Sequence, residues 1–273
     1  MDILYHYQNY LQTLGFSPKT IYGKLRSIKN FIGYIKKKES KITLNDLEDY
    51  MEHIKAKKLH SRTQYQYYGN VKDYFSYLQQ NKTIRKNPFD SYIIQLKKEP
   101  YKERTVLSRQ EIQSMYAQTK SLKEKIILHL CYGCGLRALE LERINIQDID
   151  LANKILIVQK GKNSKRRIIP INITLQKDFV KYLQYRNRIK TEEKALLLND
   201  IHTRMKEYTA LAILKKILKR SQINKQITLH SLRHSIATHL LENGVKIEFV
   251  KDFLGHKYLD TTELYTRVNS SNL

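Results

Sequence analysis

The chain has 273 residues, of which 41% are hydrophobic, and this composition excludes a disordered polypeptide and allows two cores. Its 50 lysines and arginines exceed its 26 acidic residues, which gives a formal net charge of +24. Residues 1–100 carry +9 of this charge and residues 101–273 carry +15, so a single basic tail does not explain it. We therefore expect both halves to face a polyanion, most simply duplex DNA; the alternative is a lysine-rich composition without a functional cause.

The sequence contains no apolar run of about 18 residues, so we expect no membrane span and no membrane partner. Its first residues, "MDILYHYQNYLQTLGF", are amphipathic and lack the basic start and the cleavage site of a secretory signal. These features predict a cytoplasmic protein.

The first part of the chain carries helical periodicity and no strand signal. In "TIYGKLRSIKNFIGYI" the apolar positions recur as on one face of an α-helix; they are Ile21, Leu25, Ile28, Ile32 and Ile35. A further helix begins near Thr43, with acidic residues early and lysines late. Another begins at Ser61, and its expected inner face consists of Tyr67, Val71, Tyr74, Phe75 and Leu78. Residues 1–86 are therefore predicted to form a helical bundle.

A stretch of mixed charge and weak periodicity follows the bundle. Because Pro88 and Pro100 bracket it, we predict that residues 87–104 connect two domains. The second domain, residues 105–273, opens with a capping box from Ser108 to Glu111.

Two β-branched runs in the second domain predict an antiparallel β-hairpin. They are "KILIV" at 154–158 and "RRIIPI" at 166–171. The link between them is basic and contains the turn formers Gly161, Asn163 and Ser164. Helical patterns resume at about residue 173, so the domain is predicted to be helical with one small sheet.

The sequence "EKIILHLCYGCGLR" places Cys131 and Cys134 in a C-x-x-C pattern. Such a pair occurs in redox motifs and in zinc sites, but here no second pair of cysteines completes a site. The apolar context indicates buried thiols near the end of a helix that stops at Gly133 and Gly135, and a new helix is expected near Arg137. We expect no metal and no cofactor.

The stretch "HSLRHSIATHLLENGVKIEFVKDFLGH", followed by Tyr265, gathers imidazoles, a guanidinium and a phenol. His230 and Arg233 are three residues apart on a helix that Thr228 is expected to cap. Gly244 and Gly255 are the expected stops of this helix and the next, and Asp260 is the expected cap of a third. Short helices joined by tight turns would let His230, Arg233, His256 and Tyr265 converge.

Guanidinium and imidazolium groups bind phosphate oxygens and stabilise the charge that grows when a phosphodiester is attacked. A phenol, whose pKa is ordinarily about 10, needs such a positive field or a base to act as a nucleophile at neutral pH. The leaving 5′-hydroxyl needs a proton, which a lysine on the hairpin tip would supply. The residue types therefore predict attack on a DNA phosphodiester.

The ordered motifs of the second domain resemble those of the tyrosine recombinases, the phage-integrase and Xer family. "CGLRALEL" supplies Arg137, with Glu140 at the family's acidic position, and "GKNSKRRIIP" supplies Lys162. "HSLR", "LGH" and "TTELY" complete the pattern. The catalytic residues that the resemblance implies are Arg137, Lys162, His230, Arg233, His256 and the nucleophile Tyr265. "LGFSPKTIYGKLRSIKNFIGYI" resembles the family's helical, SAM-like core-binding domain.

The resemblance implies a mainly α fold, with a helical core-binding domain and an α+β catalytic domain that holds a small antiparallel sheet. It also implies cleavage of duplex DNA through a 3′-phosphotyrosyl intermediate, without ATP or metal, for integration, excision or dimer resolution. The implied partners are DNA with inverted-repeat half-sites and, in the synaptic complex, a homo-tetramer of a protein that is a monomer in solution.

Several positions keep alternative interpretations. Lys160 is an alternative to Lys162, and Lys165 lies on the same hairpin. His234 and His239 are expected to support helix packing. Any one of the implied site residues alone would more often be a packing or surface residue, and only their joint order indicates a site.

Two features depart from many relatives. Only eight residues follow Tyr265, where many relatives carry a helix that docks on a neighbouring protomer. This short tail indicates either that protomers do not assemble in that way or that they contact one another through other surfaces. No segment precedes the helical bundle as the arm-binding domain does in integrases of the lambda type, which indicates a simple, Xer-like recombinase.

Two rival functions remain at this point. A type IB topoisomerase uses nearly the same residues but rejoins the original strand, so a junction assay on paired sites separates it from a recombinase. A relative that binds DNA without cleaving it would form no covalent adduct on a nicked substrate.

Overall fold

A computed structural model of the chain describes residues 3–94, 105–159 and 166–255. The chain divides into two compact units, Met1–Lys102 and Glu103–Leu273. Each unit has its own hydrophobic core.

The described part of the first unit is helical. Its α-helices are α1 (Ile3–Thr13), α2 (Pro18–Ile35), α3 (Leu44–Ala56) and α4 (Ser61–Gln80), and 3-10 turns cover Glu39–Lys41 and Pro88–Ser91. The hydroxyl of Ser17 accepts the N–H of Thr20 at the start of α2, and Thr43 forms a capping box with Asp46 at the start of α3. The predicted helical bundle is confirmed.

Aromatic rings fill the core of the first unit. Phe31, Tyr50, Tyr74 and Phe75 are buried, and the rings of Phe31 and Tyr50 meet edge to face at 4.9 Å. The predicted inner faces of α2 and α4 point into this core, where Ile21, Ile28, Val71 and Leu78 are also buried. Each such side chain contributes about 1.5–3 kcal/mol through burial.

Residues just after α4 belong to the first unit. Phe89 is 2% exposed and packs in the aromatic core, and the side chain of Asn87 accepts the N–H of Phe89 at 3.0 Å. The Tyr68 hydroxyl donates to the Tyr92 carbonyl at 3.0 Å. Asn87, Phe89 and Tyr92 lie within the connection that the sequence predicted over 87–104, and their packing shows that the ordered unit continues past residue 87.

The second unit combines helices with one small sheet. Its described elements are α5 (Arg109–Ala117), α6 (Leu122–Leu128), α7 (Ala138–Arg143), β1 (Ile149–Asp150), β2 (Ile155–Val158), β3 (Arg167–Pro170), α8 (Ile173–Asn187), α9 (Glu207–Arg220), α10 (Leu229–Glu242) and α11 (Ile247–Leu254). A π-helical turn over His129–Gly133 continues α6, and a 3-10 turn covers Ile146–Asp148.

The sheet is antiparallel in the order β1-β2-β3, with Ile149 opposite Leu156 and Leu156 opposite Ile169. The predicted hairpin of β2 and β3 is therefore confirmed. Its predicted tip, including Lys160, Lys162 and Lys165, lies outside the described residues.

The core of the second unit lies between the sheet and the helices. It includes Leu136, Leu156, Phe179, Leu214 and Leu232, all completely buried. The fold is thus mainly α with a small antiparallel sheet, as the sequence predicted. Within residues 3–94, 105–159 and 166–255, no helix is long and apolar enough to cross a membrane.

Candidate active site

Three arginines from different elements surround the carboxylate of Glu140. Arg167, on β3, forms a two-pronged contact with it, from Nη1 to Oε1 at 2.9 Å and from Nη2 to Oε2 at 2.8 Å. Nη1 of Arg137 donates to Oε1 at 2.7 Å, and Nη1 of Arg233 lies 3.8 Å from Oε2. We call these four residues the arginine cluster.

The turn before α7 sets the position of the carboxylate. Arg137 caps α7, and its backbone N–H donates to Oε2 of Glu140, the third residue of the helix, at 2.9 Å. Gly135 precedes this cap with a φ of +59°, and a Cβ there would lie 2.8 Å from Cδ2 of Leu254. Glycine adopts this backbone conformation at little cost, and its lack of a side chain leaves room for the close approach of α11.

The same arginines also bind the C-terminal end of α11. Each of three successive carbonyls accepts a hydrogen bond from one of them. The pairs are Arg167 Nε with Phe253 O at 3.1 Å, Arg233 Nη2 with Leu254 O at 2.5 Å and Arg137 Nη2 with Gly255 O at 2.9 Å. Since helix C-termini carry partial negative charge, guanidiniums are well placed there. The cluster therefore fixes the backbone directly before His256.

Arg233 also holds the turn before α7. Its Nη1 donates to the carbonyl of Gly135. Its side chain is only 1% exposed, whereas that of Arg137 is 24% exposed. Arg233 thus contacts the turn before α7, Glu140 and the end of α11 from a buried position. Arg137 is the more accessible of the two predicted catalytic arginines.

Glu140 is ionised in spite of its burial. Its side chain is 4% exposed, and burial would raise the pKa of the carboxyl. Hydrogen bonds and charge from Arg167, together with those from Arg137, lower that pKa to about 2. One carboxylate faces three guanidiniums in this cluster, so a net positive charge remains that an oxyanion near Arg137 would experience.

α10 carries two of the predicted site residues. Thr228 caps it as predicted, with its hydroxyl accepting the N–H of Ser231 at 3.2 Å. His230 lies exposed in the first turn, and Arg233 lies buried one turn later. The structure thus brings Arg137 and Arg233 together at Glu140 and places His230 on the same helix as Arg233.

The glycine stops are also confirmed. Gly244 follows α10 with a φ of +78°, and Gly255 follows α11 with a φ of +64°. Lys162, His256 and Tyr265, and the expected cap Asp260, lie outside the described residues. Their catalytic assignment remains a prediction.

The other histidines of α10 pack inside the unit, as predicted. His234 and His239 are both buried, and Nδ1 of His239 lies 2.9 Å from the Tyr132 hydroxyl. Burial lowers the pKa of His239 below its ordinary value.

The cysteine pair is buried as its apolar context predicted. Cys131 lies in the π-helical turn and Cys134 directly follows it, and both are free thiols. Burial raises the pKa of both, that of Cys134 to about 12 in spite of the nearby charge of Arg167. Thiols held in the protonated form are poor nucleophiles and poor metal ligands.

Arg167 was missed as a site residue, although the sequence held a signal for it. It alternates with Ile169, so the period of two along β3 places both on the inner face of the hairpin. A charged residue on the inner face of a strand needs a buried partner, and Glu140 is that partner.

Comparisons with known proteins identify the family of both units. Residues 105–272 match the model of the phage integrase family, and residues 3–106 match the N-terminal SAM-like domain of phage integrases. Tyrosine recombinase XerD of Oceanobacillus iheyensis is 30% identical over 95% of this chain and 91% of its own length.

Two further matches differ in extent. Tyrosine recombinase XerA of Pyrococcus horikoshii is 37% identical over 61% of this chain, which is 58% of its own length. The crystal structure of the XerH site-specific recombinase bound to its difH substrate has a TM-score of 0.74 at 20% identity, over 92% of this chain and 78% of that one, and it shows the same fold. With both domains matched, the chain belongs to the phage integrase family and is a tyrosine recombinase.

Proposed function

We propose that this recombinase cleaves and rejoins duplex DNA at specific sites, with Tyr265 as the nucleophile. The arginine cluster is the observation that carries the proposal. It gathers Arg137 and Arg233 around one buried acid and holds Gly255, the residue before His256. Both sequence relatives described above, XerA and XerD, are named tyrosine recombinases.

In the proposed reaction, the Tyr265 oxygen forms a bond to the scissile phosphorus and the bond to the 5′-oxygen breaks. Arg137 and Arg233 bind the non-bridging oxygens, on which charge accumulates in the transition state, and His256 adds a hydrogen bond. His230 takes the proton of the phenol, and Lys162 gives a proton to the leaving 5′-oxygen. Lys160 is the alternative acid.

The phosphotyrosyl bond keeps the energy of the phosphodiester. The 5′-hydroxyl of a partner duplex attacks it and releases the phenol, so strand exchange needs no nucleotide hydrolysis. We therefore propose that the reaction proceeds without a cofactor and without a metal.

DNA is the proposed partner of both units. In the first unit, one face of α2 is basic and exposed; it carries Lys19, Arg26 and Lys29, with Tyr22 between them. This spacing aligns the cations along one side of the helix, where they would meet phosphates of a DNA groove. We propose inverted half-sites of ~11 base pairs, about one helical turn each.

We further propose that the protein is a monomer in solution and a homo-tetramer at paired sites. Residues 1–86 would bind the core site, residues 105–273 would catalyse, and 87–104 would include the connection between them. A DNA substrate is consistent with the cytoplasmic location that the sequence predicts.

Footprinting and adduct mapping on the DNA that flanks its own gene tests the proposal. The wild type should protect a pair of inverted half-sites and form a covalent adduct on a nicked duplex of that site. Tyr265→Phe should bind with near-normal affinity and form no adduct. An adduct in the phenylalanine variant would exclude Tyr265 as the nucleophile, and equal loss of binding would indicate a structural tyrosine.

A further inference from the structure

All three guanidinium nitrogens of Arg167 take part in the contacts of the arginine cluster. Its two Nη atoms pair with the two oxygens of Glu140, at 2.9 and 2.8 Å. Its Nε donates to the carbonyl of Phe253 at 3.1 Å. All three contacts use the planar fork of the guanidinium, which a lysine does not reproduce.

The side chain of Arg167 also covers the end of α11. A Cβ on Gly255 would lie 3.0 Å from Cδ of Arg167 and 3.3 Å from its Nη1. The arginine is 9% exposed, so it fills the space between β3, α7 and α11. Because Gly255 has a φ of +64° and no side chain, the guanidinium can lie directly against the backbone there.

The positions of these contacts along the chain give them a functional meaning. Arg167 lies on β3, five residues after Lys162, and Gly255 directly precedes His256. One side chain thus anchors the described backbone next to two predicted catalytic residues. Glu140 connects Arg167 with Arg137, and Nη2 of Arg137 donates to the carbonyl of Gly255.

We propose that Arg167 is a positioning residue for strand cleavage. Its two Nη atoms pair with Glu140, and its Nε donates to the Phe253 carbonyl. These contacts fix β3, Glu140 of α7 and the end of α11 relative to one another. It does not touch DNA; it sets where Arg137 meets the phosphate and holds the described backbone that leads to Lys162 and to His256. This inference rests on the proposed function of the same site.

Loss of the contacts of Arg167 is expected to lower the rate of strand cleavage. A reacting group that moves by about 1 Å can lose ~10²-fold in rate, even when the change lies away from the chemistry. Binding of DNA depends on basic surface that Arg167 does not supply, since its side chain is 9% exposed and all three of its guanidinium nitrogens contact Glu140 or Phe253. The effect is therefore expected in the cleavage step and not in affinity.

The experiment compares Arg167→Lys and Arg167→Met with wild type and with Arg166→Lys, a control at the exposed neighbouring arginine. Single-turnover adduct formation is measured on the nicked duplex on which the wild type is mapped. The dissociation constant for the same duplex and the midpoint of thermal unfolding are measured in parallel. Hydrogen exchange of the peptide 247–255 reports on the end of α11.

We expect Arg167→Lys to fold, to bind the duplex within about threefold of wild type and to form adduct ~10²-fold more slowly. Exchange at the end of α11 should be faster in both Arg167 variants, and Arg166→Lys should resemble the wild type. Arg167→Met removes the charge as well and should be at least as slow. Because Arg167→Lys keeps the positive charge, slow cleavage by this variant would show that positioning depends on the planar guanidinium and not on the charge alone.

Two results would overturn the inference. One is a wild-type cleavage rate in Arg167→Lys, and the other is a rate loss no larger than its loss of folded protein or of DNA affinity. If the wild type itself forms no adduct on any duplex that it protects, the proposed function fails, and the inference fails with it. An active wild type with an equally active Arg167→Lys variant would instead refute the inference alone.

Discussion

A single carboxylate organises the site at the scale of individual residues. Isolated burial of Glu140 would favour its neutral form, yet the fork of Arg167 and the bonds from Arg137 keep it charged. In return, Glu140 holds two guanidiniums of like charge close to each other and to Arg233. The acid is thus the group that makes a dense cluster of cations possible without DNA.

The first prediction concerns the stability of Glu140→Gln as a function of pH. The pKa of Glu140 is lower in the folded protein than its ordinary value of 4.5 and falls to about 2. Its charge therefore stabilises the fold above pH 4.5, by about 3 kcal/mol, and this contribution is lost as the pH falls toward 2. Urea unfolding of wild type and Glu140→Gln should show a gap at pH 7 that narrows steadily below pH 4.5.

A gap that stays constant over that range would show that Glu140 is not held charged by its arginines. Any other carboxyl that titrates in the same range is common to both proteins and cancels in the difference. The comparison therefore isolates this one group.

The second prediction separates the two predicted catalytic arginines. Arg137→Ala and Arg233→Ala should each slow adduct formation by ~10²–10³-fold, the usual loss for one donor to a developing oxyanion. The side chain of Arg233 is almost fully buried, so its removal also leaves the carbonyls of Gly135 and Leu254 without these donors. Arg233→Ala should therefore lose stability by about 3–5 kcal/mol, and Arg137→Ala by much less.

The rates come from single-turnover cleavage and the stabilities from thermal unfolding. Wild-type rates in both variants would remove these arginines from the site. Equal destabilisation of both would contradict the difference in burial.

At the scale of residues, motif spacing predicted that Arg137 and Arg233 belong to one site. The spacing identified Arg137 and Arg233, and the structure joins them at Glu140. It did not identify Arg167, because motif spacing gives no partner for a charge on the inner face of a strand. Only the fold shows that β3 passes over Glu140.

At the scale of elements, the site depends on where helices end. α11 ends at Leu254 with Gly255 as its cap, and the carbonyls of Phe253, Leu254 and Gly255 are the acceptors for the arginine cluster. α10 begins at a capping box that places His230 in the first turn. A side chain at the end of a helix has a fixed position only if the helix always ends at the same residue. Here Gly255, with its positive φ, ends α11.

The third prediction tests this stop with Gly255→Ala. A Cβ there would meet Arg167 at 3.0 Å, on a backbone whose φ of +64° already disfavours alanine. Gly244→Ala is the matched control, because its φ is +78° but no atom lies within 4 Å of the added Cβ. The control should lose about 1–2 kcal/mol of unfolding free energy, the usual cost of the left-handed conformation. Gly255→Ala should lose more and should also cleave more slowly.

Thermal or urea unfolding gives the difference between the two alanine variants. Equal losses would mean that Arg167 moves away at no cost, and the contact with Gly255 would then have no energetic weight.

The sequence predicted most elements and missed those without a local pattern. Apolar periodicity located the helices of the first unit and the β2–β3 hairpin, since each repeats over several residues. The two residues of β1 are too few to show alternation, and their pairing with β2 is tertiary. The π-helical turn at His129–Gly133 inserts one residue into a helical pattern that otherwise resembles an α-helix.

At the scale of the whole molecule, the net positive charge is spread over two units, each of which has its own hydrophobic core. Each unit buries its own aromatic or aliphatic core, so each can present a rigid basic surface. Each ion pair, such as that of Lys55 with Glu52, joins one positive and one negative charge and so leaves the excess of cations unchanged. The excess of +24 is therefore available for long-range attraction to a polyanion.

The fourth prediction concerns the salt dependence of DNA binding. Every phosphate neutralised by the protein releases counterions, so the logarithm of the binding constant should fall linearly with the logarithm of salt concentration. Arg26→Ala and Lys29→Ala, on the exposed basic face of α2, should each make that slope less steep by about 1. Lys55→Ala is the control, because Lys55 already pairs with Glu52 at 2.6 Å.

Fluorescence anisotropy with a labelled duplex, measured at several salt concentrations, gives the slopes. Loss of either α2 cation should weaken binding almost equally on specific and on random DNA, since phosphate contacts do not depend on sequence. An unchanged slope in both α2 variants would show that this face does not contact the duplex. The positive charge of the first unit would then have to meet DNA through another surface, because both halves of the chain carry an excess of cations.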